Sequence, residues 1–296
     1  MIRLGTTLPY RSPPGKICGV FEGSSCPAGP DDLLNAVNTL GELGFEHVEL
    51  SADMFMYNPT FMSPPVMDRL CSAQERFGLS FSLHLCEYFG MTLESLDEDV
   101  RRASVVSSLK AIKAVRPLGV QHVVVHIAGA WPWVPLIAVE NQDFPECARA
   151  ELMERIVEQS RSSLHTLIQE VPARTLCLEN LALDFQWTAR LVQEFNTSVC
   201  FDGGHWAGLG RPLTEFVELY GSRIAEVHCH DVQNGVDHRP LCTRPGETPA
   251  LDWEGALAAL VEKGFEGPVV LEFYGLEGKA CSLQYLRQWR RQAWQK

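Results

Sequence analysis

Eight short apolar runs, separated by segments with helical spacing, constrain this chain more than any other feature. They are Ile2 to Leu8, His47 to Ser51, Leu79 to Leu85, His122 to Ile127, Thr175 to Leu181, Ser198 to Asp202, Ile224 to His230 and Pro268 to Tyr274. Most are rich in β-branched residues and nearly continuous in apolar character, which suits strands buried on both faces. Between them, apolar residues recur at helical intervals, as in Leu33, Leu34, Val37, Leu40 and Leu43, or Leu152, Ile156, Leu164, Leu167 and Ile168. Gly44, Gly78, Gly119 and Gly264 each stop such a segment just before the next strand. Eight strand-helix units in 296 residues predict an α/β fold: one (β/α)8 TIM barrel, its parallel sheet covered by helices, spanning 1–296 as a single domain. A doubly wound open sheet is the second choice. No low-complexity linker or shift of composition marks a further domain.

Composition narrows the function classes. Hydrophobic residues make up 46% and charged residues 21%, the range of an ordinary globular protein. No apolar run approaches the roughly 20 residues a membrane helix needs. The opening Met1-Ile2-Arg3-Leu4-Gly5-Thr6 lacks the regions of a signal peptide, so a cytoplasmic location is expected. The ten cysteines form no C-x-x-C pair, and Cys177, Cys200 and Cys229 sit inside strand-like runs, so reduced, buried thiols are expected. A net charge of −12 opposes wide contact with a phosphate backbone, which argues against a nucleic-acid partner and for a small-molecule substrate. A homo-oligomer is compatible with all of this. Three connections are long: Pro9 to Pro30, Gly129 to Cys147 and Val232 to Ala250. On the active face of a barrel such loops shape the pocket. Trp131 and Trp133, in the second, either stack on a ring-bearing substrate or pin the loop.

The chemistry-bearing residues lie at the C-terminal ends of the strands, where a barrel assembles its active site. His84 and His126 end the third and fourth runs. Glu179 and Asp202 follow in the fifth and sixth, with His205 three residues on. His228 and His230 close the seventh, His238 lies on the loop after it, and Glu272 is in the eighth. Any one of these residues taken singly is more often a hydrogen-bonded structural group. Together they would be costly to bury unless a cation or mutual hydrogen bonding offset their desolvation. A mixed imidazole and carboxylate shell suits Zn²⁺ first, with Mn²⁺ or Fe²⁺ as the other candidates, and suits Ca²⁺ poorly.

From Arg3-Leu4-Gly5 to Glu272 the chain resembles the xylose-isomerase-like superfamily of barrels, which includes sugar isomerases, sugar epimerases and the endonuclease IV type of repair enzyme. The resemblance implies a metal site of Glu179, Asp202, His228 and Glu272. It further implies that His84, His126, His205 and His238 complete a cluster of two or more ions, as in the endonuclease-like branch, whose D-x-x-H spacing is kept in Asp202-Gly203-Gly204-His205. One departure bears on the third ion: Val236 stands where that branch has an Asp two residues before the last His. Adjacent Asp237 would point elsewhere in an extended segment.

Two reactions fit these residues. The first is hydrolysis of a phosphodiester in a small, nucleotide-like molecule, with two cations bridged by Glu179 activating a shared water. Arg239 and Arg244 are then candidate phosphate contacts, and His230 a candidate substrate contact. The opening Arg3-Leu4-Gly5-Thr6-Thr7 is similar to that of phosphodiesterases that cut the nucleotide loop of cobamides, which makes a cobamide the specific version of this reading. The alternative is isomerisation or epimerisation of a sugar or sugar phosphate, with one ion orienting the substrate and Glu179 and Glu272 shuttling a proton. Cleavage of DNA at abasic sites ranks third because of the acidic charge, and a non-catalytic metal-binding module ranks last.

Overall fold

The computed structural model of the chain describes residues 2–8, 29–85, 91–127, 146–181 and 185–293. Every apolar run contains a strand, equal to it or a residue or more shorter at its ends: β1 Arg3–Thr7, β2 His47–Ser51, β3 Ser80–His84, β4 Val123–Val125, β5 Leu176–Glu179, β6 Ser198–Asp202, β7 Ile224–Cys229 and, after two further short strands, β10 Pro268–Leu271. All eight pair in parallel, each with its neighbour in chain order. The sheet closes because β1 pairs on one side with β2, Gly5 opposite His47, and on the other with β10, Leu4 opposite Val269. An open, doubly wound sheet is therefore excluded. Helices follow the strands, among them α1 Pro30–Leu43, α2 Ala52–Tyr57, α3 Pro64–Phe77, α4 Glu98–Ala114, α5 Glu146–Leu167, α6 Gln186–Phe195, α7 Gly203–Gly208, α8 Leu213–Tyr220, α9 Trp253–Glu262 and α10 Leu276–Ala293. Among the described residues no helix is long and apolar enough to cross a membrane.

The segment Val232 to Ala250, expected as a loop, carries a hairpin. Strands β8 Asp231–Gln233 and β9 Val236–Arg239 pair antiparallel around Asn234-Gly235. Both turn residues have positive φ, 54° and 74°, the geometry a two-residue Asn-Gly turn adopts.

Side chains alternate across each strand, and closure of the sheet turns that alternation into two interiors. Val123, Val125, Leu176, Leu178, Val199 and Phe201 face outward into a large apolar layer with helix residues such as Leu164, Leu191 and Phe216. Burying each such side chain contributes about 1.5–3 kcal/mol, so this layer supplies most of the cohesion. Facing inward, Val124, Cys177 and Cys200 form only a small separate apolar cluster. Much of the rest of the barrel interior is polar. His47 bonds Ser80 Oγ at 2.8 Å and Ser82 Oγ at 2.9 Å, Ser82 donates to Glu226 Oε1 at 2.7 Å, and His122 Nδ1 lies 3.3 Å from Glu226 Oε2.

The expectation of reduced thiols holds at Cys177, Cys200 and Cys229, which are free and buried, and fails at Cys242 and Cys281, which form a disulfide. The loop after β9 lies against α10 and brings their Cα atoms to 5.9 Å, within bridging distance. A pairing 39 residues apart in sequence left no motif to read.

Lys279 on α10 is fully buried at the seam where β10 meets β1. Its Nζ donates to Thr6 Oγ1 at 2.7 Å, Thr7 Oγ1 at 3.0 Å and Leu271 O at 3.2 Å. Burial pushes its pKa down to about 7, against the pull of Glu272 and Glu49. An unfolded lysine titrates near ~10.4, so between these values the unfolded chain binds a proton that the folded chain does not, and stability rises with pH. In urea unfolding, the wild type is expected to gain about 2 kcal/mol relative to Lys279→Met between about pH 7 and pH 9. Parallel pH profiles for the two proteins would show that Lys279 stays charged in the fold.

Candidate metal centre

The inward alternation that makes the interior polar also gathers the strand-end residues at the C-terminal mouth. Glu179, buried at the end of β5, is the hub. Its Oε2 meets His126 Nε2 at 3.0 Å and His84 Nε2 at 3.4 Å; its Oε1 meets His205 Nδ1 at 3.3 Å and His228 Nδ1 at 3.5 Å. His228 Nδ1 also lies 3.0 Å from Glu272 Oε2 and 3.9 Å from Asp202 Oδ2. Glu179, Asp202, His228 and Glu272 thus each present a ligand atom within 4.8 Å of the others, and so do His84, Glu179 and His228. The four residues implied by the family resemblance and the histidines beyond them converge as one cluster.

Its electrostatics resemble those of a site built around positive charge. Burial by itself would raise the Glu179 carboxyl, but His126, His228 and His205 hold it well below the usual range. Asp202 is likewise lowered by His205 and His230 against burial, and Glu272 falls to about 2, burial being outweighed by His228 and His238. Conversely, Asp202 and Glu179 overcome burial to push His205 up to about 10, and His228 is raised by Cys200, Glu272, Glu49 and Glu179. Raised imidazoles beside lowered carboxylates are the pattern of charge balance that a bound cation would otherwise supply. Even so, Glu179 Oε1, His228 Nδ1 and Glu272 Oε2 are buried with no hydrogen-bond partner. Three orphaned lone-pair atoms turned toward one another are costly as they stand and suit a shared ion. Mixed nitrogen and carboxylate donors fit a transition metal.

The segment Asp202-Gly203-Gly204-His205 shows how local sequence builds the site. Asp202 caps α7, its Oδ1 accepting from His205 N at 2.6 Å, which folds His205 back over the hub. A Cβ on Gly204 would stand 1.9 Å from His230 Cε1, and one on Gly203 2.4 Å from the Trp253 ring, so both positions must be bare. Asn180 clamps the turn, bonding Asp202 O and Asp202 N at 2.8 Å each.

Asp237 departs from expectation. His238 adopts a left-handed φ of 50°, with its N–H donating to His230 Nδ1 at 2.9 Å. That backbone twist breaks the alternation of an extended segment, and Asp237 joins His205 and His238 in a third potential ligand group, while Val236 stays exposed. His230, expected as a substrate contact, is instead fully buried: its Nε2 donates to Asp202 Oδ2 at 2.9 Å, and its Nδ1 is taken as an acceptor by His238 N. It therefore orients Asp202 as the neutral Nε2–H form, although Asp202, working against burial, raises its pKa. Arg239 and Arg244 are exposed. Trp131 and Trp133 lie outside the described residues. Sequence reasoning missed Asn180 and also Glu49, which reaches His228 from β2. The signal for Glu49 was the polar residue at every second position of His47-Val48-Glu49-Leu50-Ser51.

A family model described as a xylose isomerase-like TIM barrel matches residues 37–292. No curated protein sequence matches. Among solved structures, the chain is similar to a D-tagatose 3-epimerase-like protein, with 19% identity, TM-score 0.70, and 99% of this chain and 98% of that one covered. It is also similar to a 3-keto-D-glucoside 4-epimerase from E. coli, with 17% identity, TM-score 0.67, and 97% and 100% covered. A D-psicose 3-epimerase from Clostridium cellulolyticum has 16% identity, TM-score 0.69, and 99% of both chains covered. At these identities the likeness is one of fold.

Protein purified without chelator is expected to carry transition metal, and Glu179→Ala and Asp202→Ala are each expected to weaken its retention by ~100-fold or more. Elemental analysis checks both. Less than about a tenth of an ion per wild-type chain, the level of adventitious binding, would contradict the assignment.

Proposed function

Because the chain belongs to the xylose isomerase-like TIM barrel family, we propose that it is a metal-dependent hydrolase that cuts a phosphodiester in a small, nucleotide-like molecule, the nucleotide loop of a cobamide being the specific version. The observation that carries this reading is the pairing of His84 and His126 on the same oxygen of Glu179, opposite the oxygen that faces His228 and His205. A carboxylate with nitrogen donors gathered at both oxygens is suited to bridge two cations.

Glu179, Asp202, His228 and Glu272 would hold one ion, and His84, His126 and Glu179 another, with Zn²⁺ the first choice and Mn²⁺ or Fe²⁺ the others. Such ions, when bound, lower the pKa of water and offset charge on phosphoryl oxygens. Glu272, with 18% of its side chain exposed and held ionised beside His228 and His238, is the most exposed of these four ligand residues. His230 and Asn180 keep Asp202 and its turn in register. Arg239 and Arg244, exposed on and after the hairpin, are free to meet a phosphate that enters from solvent. A net charge of −12 favours a small substrate over DNA.

The solved relatives favour a second reading, sugar isomerisation or epimerisation, since those cited are named as sugar epimerases and are covered almost end to end. In that reaction Glu179 and Glu272 would shuttle the proton, and His84 and His126 would be dispensable.

The two readings part at His126→Ala. Phosphodiester cleavage, assayed on nucleotide-containing small molecules with cobamides included, is expected in the wild type and expected to fall by ~100-fold or more in the variant. Solvent deuterium entering a ketose, undiminished in the variant and with no phosphodiester cut, would establish the epimerase reading instead.

A further inference from the structure

We propose that Glu49 is a positioning residue of the metal centre: its carboxylate sets the His228 ring so that Nδ1 faces Glu179, Asp202 and Glu272 while Nε2 is turned away. The proposal rests on reading the strand ends as a metal centre.

Glu49 lies on β2 and His228 on β7, strands that are not neighbours in the sheet, so their contact spans the barrel interior. Glu49 Oε2 stands 3.2 Å from His228 Nε2, and both residues are buried. The other ring nitrogen, Nδ1, faces Glu272 Oε2 at 3.0 Å and Glu179 Oε1 at 3.5 Å and has no hydrogen bond. An imidazole has one proton to place when neutral. Donating it from Nε2 to a carboxylate leaves the Nδ1 lone pair for a ligand bond and fixes the ring about its stem.

Neighbouring groups are less suited to the task. Glu226, the other buried carboxylate near the ring, accepts from Ser82 at Oε1 and has His122 Nδ1 3.3 Å from Oε2, whereas the Glu49 carboxylate is the one within hydrogen-bond distance of His228 Nε2. The Cys200 thiol also lies against His228, but sulfur is a weak acceptor.

Two variants separate positioning from mere structure. Glu49→Leu removes the acceptor, while Glu49→Gln keeps an amide oxygen that can still accept from Nε2–H. Metal-stripped proteins would be titrated with Zn²⁺ against a chromophoric chelator, with thermal melting of the metal-free forms recorded alongside. Glu49→Leu is expected to bind Zn²⁺ about 10–100-fold more weakly than wild type, with Glu49→Gln recovering part of the loss. Equal affinities for wild type and Glu49→Leu would overturn the proposal. Should Glu49→Leu fail to fold, the ¹⁵N shifts of His228 in zinc-loaded wild type decide: a protonated Nε2 is expected, and a protonated Nδ1 would overturn it. Wild type that takes up no Zn²⁺ would count against the metal centre itself, a result distinct from either of these.

Discussion

The structure turns on a desolvation problem. A closed eight-stranded sheet sends every second side chain of each strand inward, and here the inward positions near the C-terminal mouth are carboxylates and imidazoles. Glu179, Asp202, His228 and His230 are at most 1% exposed. Ionised groups at that depth are strongly destabilising unless opposite charge and hydrogen bonds surround them. The outer apolar layer, from Val123 to Phe216, supplies the cohesion that lets the barrel keep such an interior. The helices hold the strands; the strands hold the charges together.

Within the cluster, each carboxylate is met by imidazoles from other strands. Glu179 gathers nitrogens from four sources around its two oxygens, while Asp202 is steered by His230, Asn180 and the turn into α7. Beneath the mouth, Glu49 and the network of His47, Ser82 and Glu226 extend the polar interior toward the other end of the barrel. Below the mouth, His47, Ser80, Ser82 and Glu226 Oε1 are joined by hydrogen bonds. Hydrogen-bonded groups beneath a metal centre hold its ligands in place.

The eight strands and nearly all the converging ligand types were legible because both follow from local pattern: apolar runs of strand length, and one polar residue where each run ends. What was not legible depended on contacts distant in sequence or on backbone detail. Glu49 gains its meaning from His228, 179 residues away. Asp237 enters the third ligand group only because His238 takes a left-handed φ that strand alternation does not anticipate. His230 has the position of a substrate contact, but the bare Gly204 lets it sink against Asp202. The hairpin was signalled by Asn234-Gly235, whereas the Cys242–Cys281 bridge was not signalled at all.

How the cluster divides ions among its ligands decides its chemistry, because a second ion beside His84 and His126 has no part in a proton shuttle run by Glu179. Diffraction from metal-loaded crystals, collected on both sides of the absorption edge of the bound element, counts those ions directly. Two or more anomalous peaks, with Glu179 between the one near His84 and His126 and the one near Asp202, His228 and Glu272, are expected. A single peak held by Glu179, Asp202, His228 and Glu272, with His84 and His126 still hydrogen-bonded to the protein alone, would contradict the bridged centre.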